Sequence, residues 1–259
     1  MDNSSYPLPN GVQVDLLLPC LDEAAALPVV LAALPAGFRA IVVDNGSTDG
    51  SQEIARSLGA VVVHEPRRGY GAAVHAGLLA ARAEYVAVMD CDGSIVPADI
   101  APLLASVVNG DVELASGRRR PVDPAAWRWH ARWGNQLLAQ LISVGTGTRL
   151  HDIAPVRVAR RADLLELALT DRRCGYPLET ILRATENGWH VSEFDIAYHT
   201  RTAGTSSKIS GTARGTATTI HDFVGVLFQS RGRQRERSVR PAPPLRVLLP
   251  QQATVGGSR

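Results

Sequence analysis

Through the first half of the chain, short apolar runs alternate with stretches whose apolar residues recur every three or four positions. The runs Val12–Leu18, Arg39–Val43, Ala60–His64, Tyr85–Met89 and Val112–Ser116 predict strands. Helical spacing predicts helices over Ala24–Leu34, Ser51–Leu58, Ala72–Ala81 and Ala98–Val108. Gly59 stands where a helix would close, Pro97 where one would open, and Asn109-Gly110 where it would stop. Strands alternating with short helices imply parallel β-α-β units with right-handed crossovers. The expected class is α/β: one domain with a Rossmann-like, mostly parallel open sheet flanked by helices.

The second half reads differently. Helices are expected at Trp127–Ile142 and Pro177–Asn187, the latter followed by Gly188, with a strand at His190–Ile196. Thr202–Gly215 is rich in Gly, Ser and Thr and predicts a loop, and Thr216–Phe228 a last helix. The expected organisation is an N-terminal extension (1–11), a globular domain (12–230) and a basic, Pro-containing, disordered tail (231–259).

Composition narrows the class. Among 259 residues, 45% are hydrophobic and 20% charged, which excludes wholesale disorder. No apolar stretch near the N-terminus reaches the roughly 20 residues of a membrane span, and the first residues lack the pattern of a signal peptide. Three scattered cysteines form neither a disulfide framework nor a CxxC metal motif, so a reducing, cytoplasmic setting is expected. The net charge of +2 conceals a tail with seven Arg and one Glu after a mildly acidic body. The tail carries no DNA- or RNA-reading motif, and no nucleic-acid partner is expected.

Ligands of open parallel sheets bind outside the carboxyl ends of the strands. Four polar segments fall there: Pro19-Cys-Leu-Asp-Glu23, Asp44-Asn-Gly-Ser-Thr-Asp49, Arg67-Arg-Gly-Tyr-Gly71 and Asp90-Cys-Asp-Gly-Ser94. Asp90 and Asp92, leaving an apolar strand, suit a hard divalent cation such as Mg²⁺ or Mn²⁺ that also takes phosphate oxygens. The plainer alternative is a turn that caps the next helix. Asp44 can bind a nucleoside, or it can simply brace the Asn-Gly turn beside it while Asp49 caps the following helix. Gly69-Tyr-Gly71 begins a dinucleotide-binding pattern, but Val74 occupies the place of its third glycine, which argues against an NAD-dependent oxidoreductase.

Pro19-Cys-Leu-Asp-Glu23, Asp44-Asn-Gly-Ser-Thr-Asp49, Gly69-Tyr-Gly-Ala-Ala73 and Asp90-Cys-Asp-Gly-Ser94, in this order, resemble family 2 glycosyltransferases of the GT-A fold. Downstream, Ser116-Gly-Arg118, Arg132-Trp-Gly-Asn135, Asp152 to Arg157, Leu178-Glu179 and Gly204-Thr-Ser-Ser-Lys208 resemble the dolichyl-phosphate mannose or glucose synthase branch. The resemblance spans about residues 12–225. It implies a nucleotide-sugar half (12–117) and an acceptor half (118–230). It places Pro19, Leu21, Glu23, Asp44, Asn45, Gly71, Asp90, Cys91 and Lys208 around the nucleotide sugar, with Asp90 and Asp92 on the metal. Two departures stand out: Asp22-Glu23 replaces the usual Asn-Glu, and Asp152-Ile-Ala-Pro-Val-Arg157 lacks the usual Gly and aromatic residue.

The resemblance implies an inverting, metal-dependent hexosyl transfer from a UDP-glucose- or GDP-mannose-type donor to a polyprenyl phosphate. A phosphate acceptor is already anionic and needs cations, for which Arg118 and Arg132 are the candidates. A hydroxyl on a soluble metabolite or glycan, the alternative acceptor, needs a general base, for which Glu179 is the candidate. A pairing of Glu179 with Arg183 one turn on is the plainer reading. Asp92, Glu179, Arg118 and Arg132 are thus the expected catalytic set. Lys208 would add positive charge from a closing loop. Trp127, Trp129 and Trp133, interleaved with Arg128 and Arg132, suit either a core-facing helix or peripheral contact with the inner face of a membrane.

Overall fold

The computed structural model describes residues 11–123, 126, 136, 139–140, 142–143, 150–153, 156–203 and 221–230. Most of the expected helix over Trp127–Ile142 lies outside the described residues. So do the loop from Gly204, the start of the last expected helix, the N-terminal extension and the basic tail.

Five parallel-running elements begin the chain as anticipated: β1 (Val14–Cys20), β2 (Phe38–Asp44), β3 (Val61–His64), β4 (Tyr85–Val88) and β5 (Leu114–Pro121). Between them lie α1 (Leu27–Ala32), α2 (Ser51–Ser57), α3 (Tyr70–Ala80) and α4 (Ala101–Val108), the last entered through a 3-10 turn at Pro97–Ile100. There follow β6 (Arg157–Arg160), α5 (Arg161–Glu166), α6 (Tyr176–Glu186) and β7 (Val191–Tyr198), with a final helical run at 221–230. The sheet order is β3-β2-β1-β4-β6-β5-β7. Among the described strands only β6 runs antiparallel to its neighbours, with Val88 opposite Arg157 and Ser116 opposite the same arginine.

The central strands are apolar on both faces because both are covered. In β1, Leu16 and Leu18 pack with α1, α2 and α4, whereas Leu17 packs with α3, α5 and α6. The α/β open sheet of the sequence reading is therefore present. Two elements were missed. The strand β6 is only Arg-Val-Ala-Arg, too short and too polar at its ends to signal itself. It is a strand because β4 and β5 both pair with it. The short α5 follows it directly.

Candidate functional site

The carboxyl ends of β1, β2 and β4 lie side by side, since β1 is the parallel neighbour of both others. Their loops are laced together. Thr48 donates its backbone N–H to Asp22 Oδ1 at 2.8 Å, and Asp22 returns its own N–H to Ser47 Oγ at 2.9 Å. Glu23 N–H reaches Ser51 Oγ, and Ala24 N–H reaches Asp49 Oδ2. Asp22 takes a φ of 55° to make this fit, a conformation Asp tolerates better than most residues. Pro19, Leu21 and the buried Glu23 thus form one wall, fastened to the loop after β2.

Asp90 and Asp92 leave the end of β4 beside that wall. Asp92 is 3% exposed, and its Oδ1 accepts from Ser94 N–H at 2.9 Å and Ser94 Oγ at 2.6 Å. Its Oδ2 faces Arg201 Nε at 3.1 Å. The backbone holds this contact in place: Thr202 N–H donates to the Asp92 carbonyl, and a Cβ at Gly93 would fall 2.2 Å from Thr202 Oγ1. Burial, and then the neighbouring Asp92 carboxylate, push Asp90 up to about 6, against the pull of Arg201, Arg119 and Arg157. Three guanidinium groups from three separate segments therefore act on Asp90, and one of them, Arg201, also pairs with Asp92. Arg157, 3% exposed, also donates to Tyr70 Oη at 3.2 Å.

Several expected site residues hold other posts. Arg118 pairs with Asp195 through Nε at 2.6 Å, and Arg120 pairs with the same carboxylate at 2.8 Å. Successive residues of a strand point to opposite faces, so Arg119, not Arg118, turns toward the carboxylates. Glu179 is fully buried and accepts from Thr170 N–H, Thr170 Oγ1, Asp171 N–H and Arg183 Nε. A carboxylate so occupied anchors the 170–171 turn; it is not poised to take a proton from an acceptor. Gly71 and Ala72 donate their N–H groups to the Arg173 and Arg172 carbonyls, and a Cβ at Gly71 would lie 2.8 Å from that of Tyr176. Chain, not phosphate, fills the turn at Gly71.

Asn45 spans to the Glu65 and Arg67 carbonyls and accepts from Gly69 N–H, so its amide braces the loop after β3. Cys91 is 2% exposed and donates to the Pro19 carbonyl at 3.0 Å, sealed behind the wall that it was expected to line. Asp44 is wholly buried and accepts from Gly46 and Ser47 N–H and from Gln52 Nε2, the turn-bracing role. Arg132 and Lys208 lie outside the described residues. Sequence reading missed Arg119, Arg157 and Arg201. Strand parity would have found the first; Arg157 closes the segment Asp152 to Arg157 that the resemblance already marked, and nothing local marks Arg201.

The acidic pair fits a divalent cation. Two hard oxygen donors repel one another at the rim, and a cation relieves that repulsion. Among the described residues no three His, Cys, Asp or Glu side chains gather at one point. The rest of a coordination shell would then come from phosphate oxygens and water, as is usual for Mg²⁺.

Comparison with known proteins identifies the family. A family model described as glycosyl transferase family 2 matches residues 15–167. An uncharacterized glycosyltransferase of Mycobacterium tuberculosis is 50% identical over 217 residues, covering 84% of this chain and 99% of that protein. A dolichyl-phosphate hexose transferase of Haloferax volcanii is 31% identical over 187 residues, covering 71% of this chain and 82% of its own. Among solved structures, glucosyl-3-phosphoglycerate synthase from Mycobacterium tuberculosis, in complex with Mn²⁺, UDP and glucosyl-3-phosphoglycerate, has a TM-score of 0.67. It is 19% identical, covering 86% of this chain and 81% of that one, and the likeness is one of fold, the GT-A architecture.

Proposed function

The chain belongs to glycosyl transferase family 2, and from that membership we propose that it transfers a hexose from a nucleoside-diphosphate sugar to a polyprenyl phosphate, with inversion. The observation that carries this reading is the positive charge around the acidic end of β4: Arg201 pairs with Asp92, and Arg119, Arg157 and Arg201 all favour the ionised form of the neighbouring Asp90. One divalent cation suffices for a diphosphate. Further fixed positive charge suits a second anion, which is what a phosphate acceptor brings. The commitment of Glu179 to the 170–171 turn and Arg183 points the same way, because a phosphate oxygen needs no strong base. The name of the Haloferax relative supports the same acceptor class.

In this mechanism Pro19, Leu21 and Glu23 form the nucleoside wall, and Asp44 sets its depth by bracing the adjoining turn. Asp90 and Asp92 would hold Mg²⁺ or Mn²⁺, which when bound supplies Lewis-acid neutralisation of the departing diphosphate. Arg119, Arg157 and Arg201 orient the acceptor phosphate for in-line attack, and the partly buried Tyr70 steadies Arg157. Residues 12–117 serve the donor and 118–230 the acceptor. Among the described residues no helix is long and apolar enough to cross a membrane. The protein meets its lipid from the cytoplasmic side as a peripheral visitor, with the basic tail attracted to anionic headgroups.

The test is a screen of UDP- and GDP-sugars with Mg²⁺ or Mn²⁺, against a short polyprenyl phosphate and against soluble hydroxyl acceptors. Transfer to the polyprenyl phosphate, lost in Asp92→Ala, is expected. Turnover confined to soluble hydroxyl acceptors would replace this reading.

A further inference from the structure

Arg119 does not stand alone on β5. Its Nε and Nη2 meet Asp152 Oδ2 and Oδ1 at 2.9 and 2.7 Å, and its own backbone N–H donates to Asp152 Oδ2 at 2.9 Å. The guanidinium also lies 5.5 Å from the centre of the Tyr198 ring. Asp152 is 1% exposed. Its turn is held in its own right by Glu193 of β7, which accepts from His151 N–H and Asp152 N–H, each at 2.9 Å, and from the His151 ring. Glu193 is itself nearly buried. The two carboxylates form a relay: Glu193 sets the turn, the turn sets Asp152, and Asp152 sets the plane of Arg119.

Such an arrangement is poorly explained by stability alone. Well-packed apolar residues commonly do as well as a buried ion pair. What the pair provides is a fixed guanidinium, whose plane is set because one edge is held bidentately. It also provides charge balance. Arg119, Arg157 and Arg201 would otherwise outnumber Asp90 and Asp92, and Arg119 would be drawn onto the cation-binding pair instead of standing beside it.

We propose that Asp152 and Glu193 are positioning residues, which hold Arg119 in the orientation that binds the acceptor phosphate. This rests on the polyprenyl-phosphate reading given above. Asp152 acts directly on Arg119, and Glu193 acts through Asp152. Neither touches the substrate.

A double-mutant cycle tests it, with a sugar nucleotide, Mn²⁺ and a short polyprenyl phosphate. Asp152→Asn keeps shape and removes the charge. It is expected to raise the acceptor KM about tenfold, with a smaller change in kcat and in donor KM. Glu193→Gln should shift the same constant in the same direction by less. In an Arg119→Ala background, adding Asp152→Asn should change kcat/KM by less than about twofold, because the residue it orients is gone. Losses that multiply, or an Asp152→Asn variant with wild-type acceptor KM, overturn the proposal. If Asp152→Asn does not fold, the same cycle run with Glu193→Gln and Arg119→Ala decides it. A wild-type chain that transfers to no polyprenyl phosphate instead sinks the functional reading, and the positioning proposal falls with it. Transfer by the wild type with multiplying losses sinks the positioning alone.

Discussion

A single step along β5 separates an arginine at the site from one outside it. Arg118 and Arg120 share Asp195 on one face, whereas Arg119 pairs with Asp152 and acts on Asp90. Arg119→Ala should therefore lower kcat/KM by about 100-fold, the scale of losing one preorganised charged donor. Arg118→Ala, which removes only a partly exposed ion pair, should stay within about threefold in the same assay. Glu179→Gln separates two roles for a buried carboxylate. It should cost about 2 kcal/mol of stability, read as a lower denaturation midpoint, because the charge that Arg183 and two N–H groups bind is gone. Turnover per folded molecule should hold within about fivefold; a thousandfold loss without destabilisation would restore Glu179 as a base. The sequence named the right residue types and missed their aim. A motif carries spacing along the chain, whereas a side chain's direction depends on where its strand begins and what pairs with it.

At the scale of elements, the turn from β3 into α3 shows how a motif can mislead. Gly69-Tyr-Gly71 has the composition of a phosphate cradle, yet the segment 171–173 fills it and takes the N–H groups of Gly71 and Ala72. A methyl at Gly71 would meet Tyr176 Cβ at 2.8 Å and the Asp171 carbonyl oxygen at 2.9 Å. Backbone yields less readily than a flexible side-chain end. Gly71→Ala should destabilise the fold by about 2 kcal/mol in urea titration, and nucleotide affinity of the folded fraction should stay unchanged. The helices and strands before residue 110 follow the apolar pattern to within a few residues, because each buries a face against its immediate neighbours. The antiparallel β6 was not legible. Its four residues carry no periodicity, and they are extended only because β4 and β5 present unpaired edges on either side of them.

For the molecule as a whole, the end of the sheet away from the site is secured by Asp15. This carboxylate is 1% exposed, accepts two bonds from Arg39 at 2.7 Å, and takes the N–H groups of Arg82 and Ala83 after α3. Burial alone would push Asp15 up. The hydrogen bonds from Arg39, Ala83 and Arg82 outweigh it and hold the carboxyl below its ordinary value. A depressed folded-state value means the contribution is fully present above the unfolded value near about 4, and disappears as pH falls through the folded value. Asp15→Asn should cost about 2 kcal/mol near neutral pH, discounted because Arg39 is partly exposed. The gap between wild type and variant in urea titrations should shrink below about pH 4; a gap that widens there would exclude this pair as its source.

The α/β class, the order of the first strands and helices and the acidic rim at their carboxyl ends were written in the sequence by itself. Those features depend on local periodicity and on the alternation of strand and helix. Only the tertiary structure decided which arginines reach Asp90 and Asp92, that Glu179 is a brace, and that a strand from the second half enters the sheet between β4 and β5. Each of these joins residues distant along the chain. Strand parity, sheet order and the competition among buried charges settle such contacts, and all three exist only once the chain has closed on itself.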